Sequence, residues 1–274
     1  LGQCLQKISS QFEEFEFIFT DSETLDITNK EEVNDFFWQN APDFCINAAA
    51  YTAVDLAETD IEKAFLVNAD GTENLAEACA ENNAQFIHVS TDYVFDGENN
   101  LAYTEEEFTN PLGVYGASKL AGDELALEVN PCSVILRTSW VYSEFGKNFV
   151  KTMLSLFATK EELNIVADQF GQPTNANDLA EAIMKIIKSE KITPGIFNFS
   201  NLGRISWFDF AEKIAELSDA KIKLNAIETS QYPTPAKRPK NSVLDLGKIS
   251  KTYAIQLKPW EESLEDCVQI LQNN

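Results

Sequence analysis

Tyr115 and Lys119 lie at i and i+4 in Tyr115-Gly116-Ala117-Ser118-Lys119, a spacing that puts two side chains on one face of a helix. A fixed ammonium beside a phenol favours the phenolate and draws the tyrosine pKa down towards working pH. A tyrosine tuned in this way can exchange a proton with a carbonyl or an alcohol. Upstream, Thr91 leaves the end of the apolar run Gln85 to Ser90, which predicts a buried strand. In doubly wound sheets ligands bind beyond the carboxyl ends of the strands, where the Thr91 hydroxyl would reach the same substrate oxygen as Tyr115. Each residue also has an ordinary structural use: an exposed aromatic, a solvated lysine, a turn-capping threonine and, for Asp92, a helix or turn cap.

Such residues need a frame, and the chain alternates strand and helix patterns. Short apolar runs at Glu14 to Thr20 (closed by Asp21), Phe44 to Asn47, Gln85 to Ser90 and Ser133 to Thr138 predict strands. Helical spacing covers Lys30 to Gln39, Ala57 to Asn82 with an interruption near Gly71, and Tyr115 to Glu128. This order predicts an α/β fold, a Rossmann-like doubly wound parallel sheet covered on both faces. Beyond Trp140 the pattern loosens. Helices at Phe149 to Ala158, Ala176 to Lys188 and Trp207 to Leu217 mix with strands near Gly195 to Phe199 and Ile222 to Ile227, punctuated by Pro233, Pro235 and Pro239. Residues 1–142 and about 175–200 are therefore expected to form the dinucleotide-binding domain. About 143–174 and 201–274 are expected to form a smaller α+β substrate-binding lobe.

The 274 residues are 44% apolar and 24% charged, which excludes disorder and collagen-like repeats. A net charge of −23 argues against a nucleic-acid partner, which needs clustered Lys and Arg. No apolar run approaches the ~20 residues of a membrane span, and no secretory leader pattern opens the chain. The odd number of cysteines, at 4, 45, 79, 132 and 267, is expected to be reduced thiols in a cytoplasm. An anionic ligand in so acidic a chain must rest on helix N-termini and a few local cations. His88, the only histidine, sits mid-strand and reads as satisfied packing, not as a base or metal ligand. Glu105 to Glu107 read as a solvated loop, with a divalent-ion contact as the alternative for their carboxylates.

The chain resembles the extended short-chain dehydrogenase/reductases, and within them the dTDP-4-dehydrorhamnose reductases. The matching stretches run in order: LDITN (25–29), NAAAYTAVDLAE (47–58), VNADGTENLA (67–76), STDYVFDG (90–97), YGASKLAGDE (115–124), RTSWVY (137–142), KNFVKTML (147–154), DQFGQPT (168–174), ISWFDFAEKI (205–214) and KRPKNSVLD (237–245). The Tyr-x-x-x-Lys pattern marks the superfamily, while NAAAYTAVDLAE, STDYVF and RTSWVY are more specific. The resemblance implies Tyr115 as proton donor, Lys119 as its pKa-lowering partner and a ribose ligand, and Thr91 as the hydroxyl that positions the carbonyl. It implies Asp26 and Ile27 beside adenine, Ala50, Tyr51 and Thr52 along the cofactor, and Val89 beneath the nicotinamide. Asp92 and Trp140 would meet the dTDP-linked 4-keto-6-deoxy sugar. Asn148 and Arg238 would hold its nucleotide or diphosphate, where a guanidinium matches phosphate as a bidentate fork; the alternative for Arg238 is a surface ion pair, and for Trp140 core packing. The cofactor would be NADPH or NADH. A homodimer is implied, and magnesium is compatible, although no metal ligands can be assigned.

Dinucleotide folds open with a strand and a glycine-rich turn that cradles the pyrophosphate. Here the first residues read as the helix itself, and only the last glycine of the family's G-x-x-G-x-x-G pattern stands, as Gly2. The expectation is a chain lacking its first strand and turn, which alone would bind dinucleotide weakly and fold poorly. Asp21, about 20 residues after Gly2, is placed to accept from the adenosine ribose 2′-hydroxyl. Two other functions compete. A sugar-nucleotide epimerase or dehydratase shares the fold, but Tyr93 follows Thr91-Asp92 where a dehydratase would need a second acid. The chain is also similar to the non-catalytic, NAD(P)-binding regulatory subunit of methionine adenosyltransferase, a reading the Thr91, Tyr115 and Lys119 set weighs against.

Overall fold

The computed structural model describes residues 1–273. Helix α1 (Gly2–Ile8) leads through a short 3-10 turn into an extended aromatic segment. The strand predicted for residues 14–20 does not form, because no strand among the described residues lies beside it to share backbone hydrogen bonds. Its aromatic rings hold it in place: Phe15 meets Phe44 edge-on at 6.0 Å between centroids. Helix α2 (Lys30–Asn40) is capped by the Asn29 side chain, which accepts from the Glu31 and Glu32 N–H groups. Strand β1 (Phe44–Asn47) follows.

After α3 (Val54–Ala57), the helix predicted over 57–82 with an interruption near Gly71 is α4 (Ile61–Phe65) and α5 (Gly71–Asn82), joined by a π-helical turn, Leu66–Asp70. The extra residue of that turn accompanies an inward-facing Asn68. Its Oδ1 accepts from the Tyr51 N–H at 2.8 Å and its Nδ2 donates to the Tyr51 carbonyl at 3.1 Å and the Ser118 hydroxyl at 3.0 Å. Strand β2 (Gln85–Thr91), helix α6 (Val114–Val129) and strand β3 (Val134–Thr138) continue the expected order. Then come β4 (Val141–Tyr142), α7 (Phe149–Phe157), β5 (Glu162–Val166), β6 (Phe170–Gly171), β7 (Thr174–Asn175), α8 (Ala176–Ile187) and β8 (Gly195–Asn198). The chain closes with β9 (Ile205–Ser206), α9 (Trp207–Leu217), β10 (Lys223–Ile227), α10 (Gly247–Tyr253) and α11 (Trp260–Asn273).

The main sheet has the order β1-β2-β3-β8, and all its pairs are parallel. Alternation along each strand divides its side chains between two cores. Ile87, Leu136 and Phe197 pack under α1, α8 and α10, while Phe86, Ile135 and Ile196 pack under α2, α5 and α6. Helix α10, which lies in the 201–274 segment expected in the smaller lobe, thus packs on the sheet through Ile249 and Tyr253. A separate core gathers Val150 and Met153 of α7, Phe210 and Ile214 of α9 and Leu264 of α11 beside the parallel pair β5 and β10. No helix among the described residues is long and apolar enough to cross a membrane.

Glycine lets α6 sit unusually close to its neighbours. A Cβ on Gly122 would collide with the backbone carbonyl of Asn68, and one on Gly116 with that of Tyr93. The Gly116 approach sets the first turn of α6 against the turn after β2, and the Gly122 approach sets the middle of the helix against Leu66–Asp70.

Candidate active site

Tyr115 lies in the first turn of α6, whose free N–H groups are met from a distance in sequence: Glu58 Oε1 accepts from the Val114 N–H at 2.9 Å. An acidic group there also suits the positive end of the helix dipole. The Tyr115 ring is edge-on to Tyr93 at 5.7 Å, and its hydroxyl is hydrogen-bonded with Thr91. Thr91 Oγ1 in turn donates to Asp92 Oδ1 at 3.1 Å and accepts from the Tyr93 N–H at 3.2 Å. The threonine therefore caps the turn and touches the phenol at once.

The expected charge pairing between Lys119 and Tyr115 takes another form. Lys119 Nζ is directed at His88 Nε2, 2.9 Å away, and the Val89 carbonyl, 2.8 Å away. Burial pushes the Tyr115 phenol up to about 12, against the lowering effect of the Thr91 hydrogen bond and with the nearby acids Asp92 and Asp123 raising it further. The direction is opposite to that read from the spacing: burial dominates, and Lys119 Nζ is directed at strand β2. Lys119 itself is brought down to about 8 by burial, with Asp123 opposing. Asp123, one turn further along α6, accepts from Ser90 Oγ at 2.9 Å and faces Arg137 Nε at 3.4 Å. The i, i+4, i+8 row Tyr115, Lys119, Asp123 was the signal that could have revealed this acid.

Asp92 is 2% exposed, and burial lifts its carboxyl to about 7, opposed by hydrogen bonds from Ser242 and Thr91. An acid free in the unfolded chain titrates near ~3.9, so between about 4 and about 7 the native state binds more protons than the unfolded state. Stability falls as pH rises through that window and is flat above it. Asp92→Asn is expected to remove most of this fall, up to about 4 kcal/mol, in urea unfolding compared at acid and alkaline pH. An undiminished pH slope in the variant would assign the fall to other groups.

On the cofactor side, Asp21 is exposed, and the hydrogen bonds from the Glu23 N–H, the Thr24 N–H and the Thr24 hydroxyl all fall on Oδ1. Those bonds hold its carboxyl below the usual range, which leaves a charged Oδ2 towards solvent. Asp26 is similarly closed on Thr28. Ile27 covers Gly71, at 2.8 Å from where a Cβ would stand, and its carbonyl accepts from Asn74. Ala50, Tyr51 and Thr52 form the loop after β1, clamped by Asn68, with Tyr51 Oη donating to Asp60 at 3.2 Å. Around Gly2 nothing lies within 4 Å of a would-be Cβ. A free carboxylate oxygen after the aromatic segment, an ordered loop beyond β1 and a phenol with a lysine at the end of β2 fit a dinucleotide laid across the carboxyl edge of the sheet. Among the described residues no group of three or more His, Cys, Asp or Glu side chains could hold a metal ion.

On the substrate side, a cleft of about 390 Å³ is lined by Arg238, Lys237, Lys240, Tyr232, Asp168 and Leu112. A narrow crevice lined by Tyr115 lies beside it, sharing Leu112, Ala236 and Lys237 with the cleft. Lys237, Arg238 and Lys240 stand on one loop, and Asp96, Glu98 and Asp168 share the lining with them. Arg238 grips Asp55 bidentately, at 2.9 Å and 2.8 Å, which is the ion pair given as the alternative to a phosphate contact. Trp140, at φ 47°, stacks on Trp207 at 3.5 Å between centroids and covers Gly171. Asn148 is the N-cap of α7, its amide donating to the Ser143 and Phe145 carbonyls, and it does not line the cleft. Glu105, expected in a solvated loop, is instead buried and accepts from the Asn198 N–H at 2.9 Å at the end of β8.

The family model described as the RmlD substrate binding domain matches residues 1–273. A dTDP-4-dehydrorhamnose reductase of Aggregatibacter actinomycetemcomitans is 44% identical over 276 aligned positions, covering 97% of this chain and 94% of that relative. A crystal structure of a dTDP-4-dehydrorhamnose reductase from Clostridium acetobutylicum superposes with a TM-score of 0.94 at 40% identity, covering 99% of this chain and 95% of the other. That of the Bacillus anthracis dTDP-4-dehydrorhamnose reductase in complex with NADP gives 0.92 at 37% identity, with 97% and 95% covered.

Proposed function

The chain belongs to the RmlD substrate binding domain family, and from that membership we propose how its own residues divide the work of a reductase. It is an NAD(P)H-dependent oxidoreductase that converts dTDP-4-dehydro-6-deoxy-L-mannose (dTDP-4-dehydrorhamnose) to dTDP-L-rhamnose. When bound, the nicotinamide supplies the hydride that reaches C4 of the sugar. The observation that carries the division of labour is the Tyr115–Thr91 hydrogen bond at the end of β2, with Lys119 bonded to Val89 of the same strand, beside a cleft lined by Lys237, Arg238 and Lys240 together with Asp96, Glu98 and Asp168.

Thr91 Oγ hydrogen-bonds the keto oxygen and Tyr115 Oη gives its proton to the alkoxide that forms. A phenol held at about 12 is fully protonated near neutrality, as a donor must be. Lys119 stabilises the phenolate left behind. Asp92 and Trp140 face the sugar, and Arg238 exchanges its carboxylate partner Asp55 for the diphosphate. Asn148 acts on the substrate side by holding the start of α7. Gly2, Asp26, Ile27, Ala50, Tyr51, Thr52 and Val89 border the cofactor. Residues 1–142 and about 175–200, with α10 added to them, form the cofactor domain, and the remainder forms the substrate lobe. Homodimeric assembly in a cytoplasm belongs to the same proposal.

Full-length protein given the dTDP-keto sugar is expected to oxidise NAD(P)H stoichiometrically; no oxidation with either cofactor would overturn the reading. Asp21, charged and with one oxygen free, is expected to accept from a ribose 2′-hydroxyl and repel a 2′-phosphate. Asp21→Ala should therefore lower the ratio of kcat/KM with NADH to that with NADPH several-fold. An unchanged ratio removes Asp21 from cofactor selection.

A further inference from the structure

His88 is fully buried, and both of its ring nitrogens have polar partners. Nδ1 lies 3.1 Å from Asn47 Nδ2, and Nε2 lies 2.9 Å from Lys119 Nζ. The Asn47 amide cannot be turned over, because its Oδ1 accepts from the Ala49 backbone N–H at 3.0 Å, and a reversed amide would set a donor against a donor. Asn47 Nδ2 therefore donates to Nδ1, and also to Thr72 Oγ1 at 3.3 Å. A neutral imidazole that accepts at Nδ1 carries its proton on Nε2. That proton points at Lys119 Nζ, with Asp123 Oδ1, a carboxylate oxygen with no hydrogen bond of its own, 3.8 Å from the same nitrogen.

We infer that His88, locked by Asn47 in its Nε2–H form, is a positioning residue that sets the proton affinity of Lys119. An N–H aimed at the lysine nitrogen is a good partner for the amine, which has a lone pair, and a poor one for the ammonium, which has only donors. Other groups facing the lysine act beside it. On α6 these are Asp123, which favours the ammonium, and Tyr115 one turn back, itself raised by Asp92; on β3 Arg137 pairs with Asp123. Strand β1 and helix α5 present Asn47 and Thr72, which are uncharged. Burial of His88 beside Lys119 keeps the ring from protonating, in line with its neutral form. The arrangement lowers the cost of the amine form, so Lys119 can release and regain a proton near neutral pH instead of remaining a permanent cation.

The inference deepens the role proposed for Lys119 and rests on that role for its catalytic meaning, but it is tested on ligand-free protein without turnover. Histidine labelled with 15N gives the signals of one ring, since the chain has one histidine. The expected spectrum shows a protonated Nε2 and a bare Nδ1 throughout the neutral range. A proton on Nδ1, or on both nitrogens, overturns the inference. Asn47→Asp keeps an oxygen for the Ala49 N–H and offers another to Nδ1, so the ring should change to the Nδ1–H form and accept from the ammonium. The Lys119 midpoint, followed by the 13Cε shift of labelled lysine, should then rise by about one pH unit or more, a tenfold gain in proton affinity. A folded variant with unchanged tautomer and midpoint also overturns it; if the variant does not fold, the wild-type tautomer decides. Should the tautomer be as stated while Tyr115→Phe turns over normally, it is the proposed site roles that fail.

Discussion

Tyr115→Phe is expected to lower kcat for NAD(P)H oxidation by roughly a hundredfold to ten-thousandfold, the range over which a positioned general acid contributes. The change removes one oxygen, the one that shares a hydrogen bond with Thr91. The ring itself stays packed edge-on against Tyr93, and the N-terminal turn of α6 keeps its Glu58 cap. Cofactor affinity, measured by calorimetry, should therefore change little, because Lys119 is held by His88 and Val89 and not by the phenol. Loss of turnover with intact binding separates a missing proton donor from a damaged fold. Near-normal turnover would show that the proton comes from elsewhere and that the end of β2 has been misread.

Gly122→Ala is expected to produce the largest loss of stability from the smallest change. Mid-helix, alanine exceeds glycine in helix propensity by about 0.8–1.0 kcal/mol, so propensity alone forecasts a gain. The packing forecasts the reverse. The added Cβ meets the backbone oxygen of Asn68, which cannot rotate away as a side chain would. Either α6 moves out or the π-helical turn does, and Asn68 then loses its bonds to Tyr51 and Ser118. Overpacking of this kind costs about 1–3 kcal/mol, and with backbone as the obstacle the upper part of that range is expected. At about 2–4 °C per kcal/mol for a large domain, Tm should drop by about 5–10 °C in a thermal scan. A rise in Tm would mean that α6 has slack which the close approach does not suggest.

Periodicity carried most of the architecture. Strands β1, β2, β3, β8 and β10 and helices α2, α6, α7, α8 and α9 lie within a residue or two of where apolar spacing puts them, because each buries a continuous or one-sided apolar face. The failures have physical causes. Residues 14–20 have strand composition without a neighbour to pair with, and pairing, not composition, makes a strand. The interruption expected near Gly71 is there, at Leu66–Asp70, but its π-helical form depends on what Asn68 bonds to in the loop after β1 and in α6, which no local window contains. Helices α10 and α11 passed unread. In the candidate site, Tyr115, Lys119 and Thr91 were legible from spacing and strand ends, whereas the direction in which Lys119 points was not. Glu58, Asp123 and His88 were missed as partners because a capping carboxylate, a third acid on a helix row and a strand histidine gain meaning only from residues far away in the chain.

The Asp55–Arg238 pair makes anion recognition a competition with an incumbent. A carboxylate already fills the guanidinium fork, so a newcomer is selected for what it adds beyond a single carboxylate's charge and geometry. On the role proposed for Arg238, a small monoanion would replace like with like and gain nothing, whereas a diphosphate would gain from Lys237 and Lys240, which line the same cleft. The cell's abundant small anions are discounted in advance. Ionic strength, which weakens the departing pair and the arriving one together, largely cancels from the exchange at this arginine.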